Sequence, residues 1–312
     1  MELWLLYAAG AAIFAALTSI LAKIGIKNVN SHLATAIRTM VVLVFAWLMV
    51  FIAGSWDGIL HIQGRTWVFL VLSGLATGGS WLCFFRALKL GNVNKVAPLK
   101  KSSTILTMVL AFVILGEPMG IATIIGMALM GIGTWLMLEL KKGVKDESSG
   151  KGWLLYALLA AVFASLVAIF GKIGVADMDP NLWTAIRTVV VVPLSWLMVF
   201  VGQKQSAAQD TDENRFYQKR QQKLPMVWAA IKAVDAKSWT FLVLSGVATG
   251  VSWLFFYHAL KIGNASLVVP IDRLSIIVTM GFARLVLGER FSWRSIAGLL
   301  VLVAGTLLLV VL

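Results

Sequence analysis

Apolar runs of roughly 20 residues, each long enough to cross a hydrocarbon slab of about 30 Å, follow one another along the whole chain. They fall near 3–24, 33–54, 66–88, 94–115 and 119–140, then near 152–174, 181–202, 239–260, 266–287 and 292–312. The pattern predicts an all-α integral membrane protein of ten transmembrane helices, five in each half. Polar intervals separate the runs. Two stand out, a short Lys-, Ser- and Gly-containing stretch at 141–151 and a longer Gln-, Asp- and Lys/Arg-rich one at 203–237.

The two halves repeat each other. Trp4-Leu-Leu-Tyr-Ala8 returns as Trp153-Leu-Leu-Tyr-Ala157, and Thr35-Ala-Ile-Arg-Thr39 returns unchanged as Thr184-Ala-Ile-Arg-Thr188. The segment from Trp67 to Asn92 returns from Trp239 to Asn264. A repeat written in apolar letters is the mark of a transporter built from two related halves. The repeat divides the chain into a first unit at 1–140, a linker at 141–151, and a second unit at 152–312 with 203–237 inserted. Because five is odd, the second unit enters the membrane upside down relative to the first, and both termini lie on one side. The end of the insertion, from Pro225 to Val234, reads either as an amphipathic surface helix or as a plain tether.

Composition agrees with a lipid solvent: 60% of residues are hydrophobic and 13% charged, and the mean hydropathy is +0.89. A net charge of +13 would point to nucleic acid in a soluble chain, but here it reports orientation. The loops after the first, third, fifth, seventh and ninth runs carry the great majority of the 27 Lys and Arg, and basic loops are cytoplasmic. On that rule both termini lie outside. The first run lacks a cleavage site and carries Lys23 at its far end, so it reads as a retained helix. Cys83 is the single cysteine, which excludes an intramolecular disulfide.

Charged residues within apolar runs are the candidate functional groups, because charge at depth is costly and normally faces a cavity. The stretch from Asn94 to Ser103 aligns with that from Ser266 to Ser275, setting Pro98 against Pro270, Lys100 against Asp272, and Lys101 against Arg273. Lys100, Lys101 and Arg273 are candidate anion sites. Asp272 is the candidate proton or substrate-amine site, and pairs with Lys100 or Lys101 if both helices line one cavity; if the helices begin later, these charges lie among headgroups. Arg38 and Arg187, early in the second helix of each half, either fix an anion or snorkel; Lys23 and Lys172 read better as snorkelling. Trp81 and Trp253 stand in mid-helix, where each indole N–H needs a partner. Tyr257 and His258 replace Phe85 and Arg86 of the first half, so the halves are chemically unequal.

Ser73-Gly-Leu-Ala-Thr-Gly78 and Ser245-Gly-Val-Ala-Thr-Gly250 hold G-x-x-x-G spacings that favour close helix packing. Gly116-Glu117 and Gly288-Glu289 end the fourth helix of each half, the glutamate reading as the start of the next helix. His32, His61 and His258 are scattered, and no catalytic or metal-binding pattern occurs. Neither an enzyme, a metal site nor a cofactor is indicated.

Ten spans as two five-helix repeats, the arginine early in the second helix and Leu-Gly-Glu at the end of the fourth resemble the EamA family of the drug/metabolite transporter superfamily. The likeness covers both halves, nearly everything outside 203–237. It implies a secondary transporter whose central cavity, lined by helices three, four, eight and nine, opens alternately to either side, commonly to export amino acids, other metabolites or toxic compounds. Members of that family typically keep both termini in the cytoplasm, against the charge count here. The expected function is export of a small polar metabolite, amino-acid-like or an organic ion, across the plasma (inner) membrane, with protons as a candidate coupling ion and lipids as surroundings. Two other readings stand beside it: an interaction or regulatory protein acting through 203–237, and a lipid-phosphate carrier.

Overall fold

The computed structural model describes residues 2–26, 29–90, 96, 99–100, 102–137, 152–207, 230–285 and 291–311. All regular structure among them is helical: α1 (Leu3–Gly25), α2 (Ser31–Ala53), a 3-10 turn (Ser55–His61), α3 (Gly64–Leu90), α4 (Ser103–Leu115), α5 (Ile121–Leu136), α6 (Gly152–Val175), α7 (Pro180–Ala207), α8 (Ala236–Ile262), α9 (Ala265–Arg273), α10 (Ser275–Leu285) and α11 (Trp293–Val311). Eight spans among the described residues are long and apolar enough to cross a membrane, one of them formed by α9 and α10 together, while α4 and α5 are shorter apolar helices. The chain is an integral membrane protein. Its outer faces carry Val44, Phe51, Ile52, Val113 and Leu300 more than half exposed, as a lipid-facing surface requires.

Local signals set the helix ends. Asp179 accepts from the backbone N–H groups of Asn181 and Leu182 at 2.9 and 3.3 Å and precedes Pro180, whose missing N–H is harmless at a first helical position. Asp235 caps α8, accepting from the Ser238 backbone N–H at 3.1 Å and the Ser238 hydroxyl at 2.7 Å. These bonds, the hydroxyl bond foremost, hold its carboxyl below the ordinary range. A depressed folded-state pKa stabilises above the unfolded value and is lost as pH falls through the folded value. Acidification below about pH 4 is therefore expected to fray the start of α8, and Asp235→Ala to do so at neutral pH, read as faster hydrogen exchange at the Ser238 amide. Unchanged exchange in the variant would remove the cap from the account.

The ninth span departs from expectation. The sequence predicts one helix over 266–287, whereas α9 ends at Arg273, and α10 resumes after Leu274. Leu274 donates to Ile271 and Ile277 to Leu274, both at 2.9 Å, tightening the chain where Pro270, lacking an N–H, has already interrupted the preceding turn. Asp272 and Arg273 thus sit at a helix break about two turns in. Lys101, Pro98, Glu289, the linker 141–151 and residues 208–229 of the polar insertion lie outside the described residues. Near the end of that insertion, Ala230, Ile231 and Val234 pack against a cluster containing Val29, Leu33 and Leu242.

Helices of one half pack on those of the other. α1 lies against α8 and α3 against α6; α2 meets α7, α4 meets α9, and α5 meets α11. Matching serines join the first two pairs: Ser252 donates to the Ala11 carbonyl and Ser80 to the Ala160 carbonyl, each at 2.9 Å. Ser245 and Ser73 bond the Thr18 and Val167 carbonyls. The G-x-x-x-G glycines close the packing. A Cβ on Gly74 or Gly78 would lie 2.6 or 2.5 Å from Val190 or Leu194 of α7, and one on Gly246 would lie 2.6 Å from Val41 of α2.

Candidate functional site

Cavities open among these packed helices, two of them lined by described residues. The first, about 250 Å³, is lined by Thr35, Arg38 and Thr39 of α2, Trp81, Phe84 and Phe85 of α3, Lys100, and Thr249 and Trp253 of α8, with Val42. Four residues singled out from the sequence, Arg38, Lys100, Trp81 and Trp253, therefore share one wall. Phe85, which the repeat marks as unequal to Tyr257, lies here too; Phe84 and the threonines were not candidates, although Thr249 belongs to the same S-G-x-A-T-G motif as the packing glycines, one turn beyond Ser245.

The second cavity, about 270 Å³, is lined by Ser19, Thr104, Met130, Thr134, Arg273, Ser275 and Thr279 with Ile105, Ile276 and Leu302. Here the Arg273 Nε–H donates to the Thr104 hydroxyl at 2.9 Å and Nη2 to the Ser103 hydroxyl at 3.3 Å. Among the described residues, neither lining contains an Asp or Glu.

Of the two partners expected for Asp272, Lys101 lies outside the described residues, and Lys100 does not pair with it. Lys100 places its ammonium 4.0 Å from the centre of the Phe84 ring, and the charged neighbour acting on it is Arg273. Asp272 is half-buried, also beside Arg273. The cause is geometric: Arg273 is drawn to the hydroxyls that open α4, while Lys100 lies on the ring from α3.

The two arginines of the repeat differ sharply. Arg187 is 2% exposed. Its Nε–H donates to the Ser73 hydroxyl at 3.1 Å and its Nη2 to the Thr77 hydroxyl at 2.5 Å. Its guanidinium carbon stacks 4.9 Å from the centre of the Trp253 ring and 5.4 Å from that of Tyr257. Neither contact resembles snorkelling. Arg38 instead faces the first cavity, with Nη2 donating to the Thr249 hydroxyl at 2.9 Å; its buried Nε–H, like the buried Nη1 of Arg187, has no partner among the described residues. His258 lies apart, stacked on Tyr7 at 5.1 Å with Nδ1 2.8 Å from the Leu254 carbonyl oxygen.

Two further charges have roles that spacing alone did not reveal. Gly116 adopts φ 68°, a left-handed turn that glycine reaches without Cβ strain. It delivers Glu117, 7% exposed, to the start of α9, where the carboxylate accepts from the backbone N–H groups of Ala265 and Ser266 at 2.7 and 2.8 Å. Glu117 therefore caps a helix of the other half, not α5 as its place in the sequence implied. Lys172, expected to snorkel, donates to the Leu260 and Gly263 carbonyls at 2.7 and 2.8 Å. The turn between α8 and α9 is held by an anion on its amides and a cation on its carbonyls, each matched to the local helix dipole.

A bundle of apolar helices, packed reciprocally between two related halves around polar cavities, defines the class of membrane transport proteins. The EamA-like transporter family model matches residues 2–139 and again 151–311, and the chain belongs to that family. A Sinorhizobium sp. protein described as "Uncharacterized transporter in cobO 3'region" is 45% identical over 134 residues, which are 43% of this chain and 95% of that protein. A crystal structure superposes with a TM-score of 0.72 at 17% identity, covering 99% of this chain and 98% of its own; that likeness concerns the fold. The protein is a membrane transporter.

Proposed function

We propose that this transporter is a secondary active exporter of a small polar metabolite, working by alternating access. The reading takes the chain as ten crossings in two inverted five-helix repeats, 1–140 and 152–312, with both termini on one side of the plasma membrane. The observation that carries it is the inequality of Arg38 and Arg187. Identical pentapeptides place one arginine on an open cavity and seal the other against Ser73, Thr77 and two aromatic rings. Two related halves holding the same parts in open and closed arrangements are what a structure caught with access on one side contains.

Asp272, at the break between α9 and α10, is the proposed proton site. Protonation would remove a negative charge next to Arg273 and change the balance between the two arrangements. In proteoliposomes with an imposed proton gradient, Asp272→Asn is expected to lower gradient-driven flux about tenfold or more, within the usual range of coupling energies, while sparing exchange of cargo without a gradient. Unchanged gradient dependence would eliminate Asp272 from coupling and leave a uniporter.

A further inference from the structure

We propose that the cavity between α2, α3 and α8 selects an organic carboxylate with a flat apolar body, the carboxylate against Arg38 and Lys100 and the body against Trp81, Phe84, Phe85 and Trp253. This rests on the transport reading above and adds the class of cargo.

Three observations converge. Among the described residues the wall presents two cations and no acid, and in a low-dielectric site such an excess calls for an anion. Arg38 keeps one of the bonds that its counterpart makes: Thr249 corresponds to Thr77 and accepts from Arg38, whereas Ser245 and Ser73 both donate to a carbonyl of the facing helix but only Ser73 also accepts an arginine Nε–H, and the Arg38 Nε–H is left buried without a partner among the described residues. The aromatic shelf of Arg187 has its equivalent in Trp81 and Phe85, and both line the cavity. Moreover, Phe85 stands where the second half has Tyr257 and brings no hydroxyl to the open site. A ligand carboxylate in this cavity would supply the acceptor that the Arg38 Nε–H lacks.

The remaining walls set the rest of the molecule. Rings on both α3 and α8 favour a planar apolar body, and about 250 Å³ is at the small end of ligand sites. An amine would meet Arg38 and Lys100, with no carboxylate among the described lining residues to receive it. The site therefore disfavours organic cations, and among acids it favours those without a free amine.

Calorimetric titration of the purified full chain with benzoate, benzylamine and inorganic phosphate tests this directly. Benzoate is expected to bind saturably at one site, with benzylamine at least about tenfold weaker and phosphate unable to displace it, tenfold being the scale of one charged hydrogen bond. Arg38→Gln is expected to weaken benzoate about tenfold, Arg38→Lys less, and Trp81→Leu to weaken benzoate more than acetate. Thr279→Ala, in the second cavity, is expected to leave it unchanged. Equal binding of benzylamine, full displacement by phosphate, or loss of binding in Arg273→Gln but not Arg38→Gln would each overturn the proposal. Should the Arg38 variants not fold, the ligand series on the unmodified chain and Trp81→Leu decide alone. Benzoate binding without uptake into vesicles would refute the transport reading and keep the site; uptake of other solutes by a protein that ignores benzoate would do the reverse.

Discussion

Glu117→Ala is expected to lower the stability of the whole bundle by about 3 kcal/mol or more, at about 1.5–3 kcal/mol for each hydrogen bond to a charged group. The carboxylate makes two such bonds, to the Ala265 and Ser266 amides, and it is almost fully buried. Inside a membrane protein no water stands ready to replace it. The first turn of α9 would be left with orphaned donors, and the loss would reach the helix break that carries Asp272 and Arg273. Glu117→Gln retains a carbonyl acceptor but no charge, so it should lie about midway. Lys172→Met should weaken the same turn from its carbonyl side. Thermal unfolding in detergent reads the result: a shift of several degrees follows from roughly 2–4 °C per kcal/mol in a chain of this size class. An alanine variant melting within a degree of the parent would show that the capping bonds contribute little.

Gly133→Leu and Gly298→Leu form the second prediction, and here the cause is steric. A Cβ at Gly133 would stand 2.6 Å from the Gly298 carbonyl oxygen and the Leu302 nitrogen, and a Cβ at Gly298 would stand 2.6 Å from the Gly133 carbonyl oxygen. Backbone meets backbone, so no rotamer relieves the overlap and α5 must part from α11. Overpacking typically costs about 1–3 kcal/mol, occasionally more; a leucine between two main chains belongs at or above the top of that range. Gly281→Ala in α10, with nothing within 4 Å of the new methyl, is the matched neutral change. If the leucine variants purify and melt like Gly281→Ala, the pairing of α5 with α11 does not hold as described.

These cases indicate what the sequence could and could not tell. Apolar run length announced eight of the spans, because a bilayer imposes its thickness on any helix that crosses it. The G-x-x-x-G motifs announced close packing, since that depends on side-chain size alone. Arg38, Lys100, Trp81 and Trp253 were legible as candidates because charge and mid-helix indoles are conspicuous in apolar text, and the structure places them on one cavity. Partners across the fold were not legible. Glu117 reads locally as the start of α5, and only the left-handed turn at Gly116 and the approach of the other half reveal that it serves α9. The break at Leu274 likewise follows from Pro270 together with Arg273 turning to Thr104, and the second of these lies 169 residues away in sequence. Arg38 and Arg187 sit in identical pentapeptides, so nothing nearby in the chain distinguishes the open one from the sealed one.

The exchange of partners between halves also constrains biogenesis. Ser252 and the Ala11 carbonyl that it bonds are separated by 241 residues, and at ribosomal rates of about 5–20 residues per second α1 waits roughly 10–50 s for α8 to be made. Throughout that interval the small-residue face of α1, with Ala8, Ala11 and Ala16 buried in the finished protein, has only lipid, earlier helices or the insertion machinery to lie against. Assembly is therefore late and concerted, and a ribosome stalled after α5 leaves a half-protein in which α1 and α3 are still without their mates, α8 and α6.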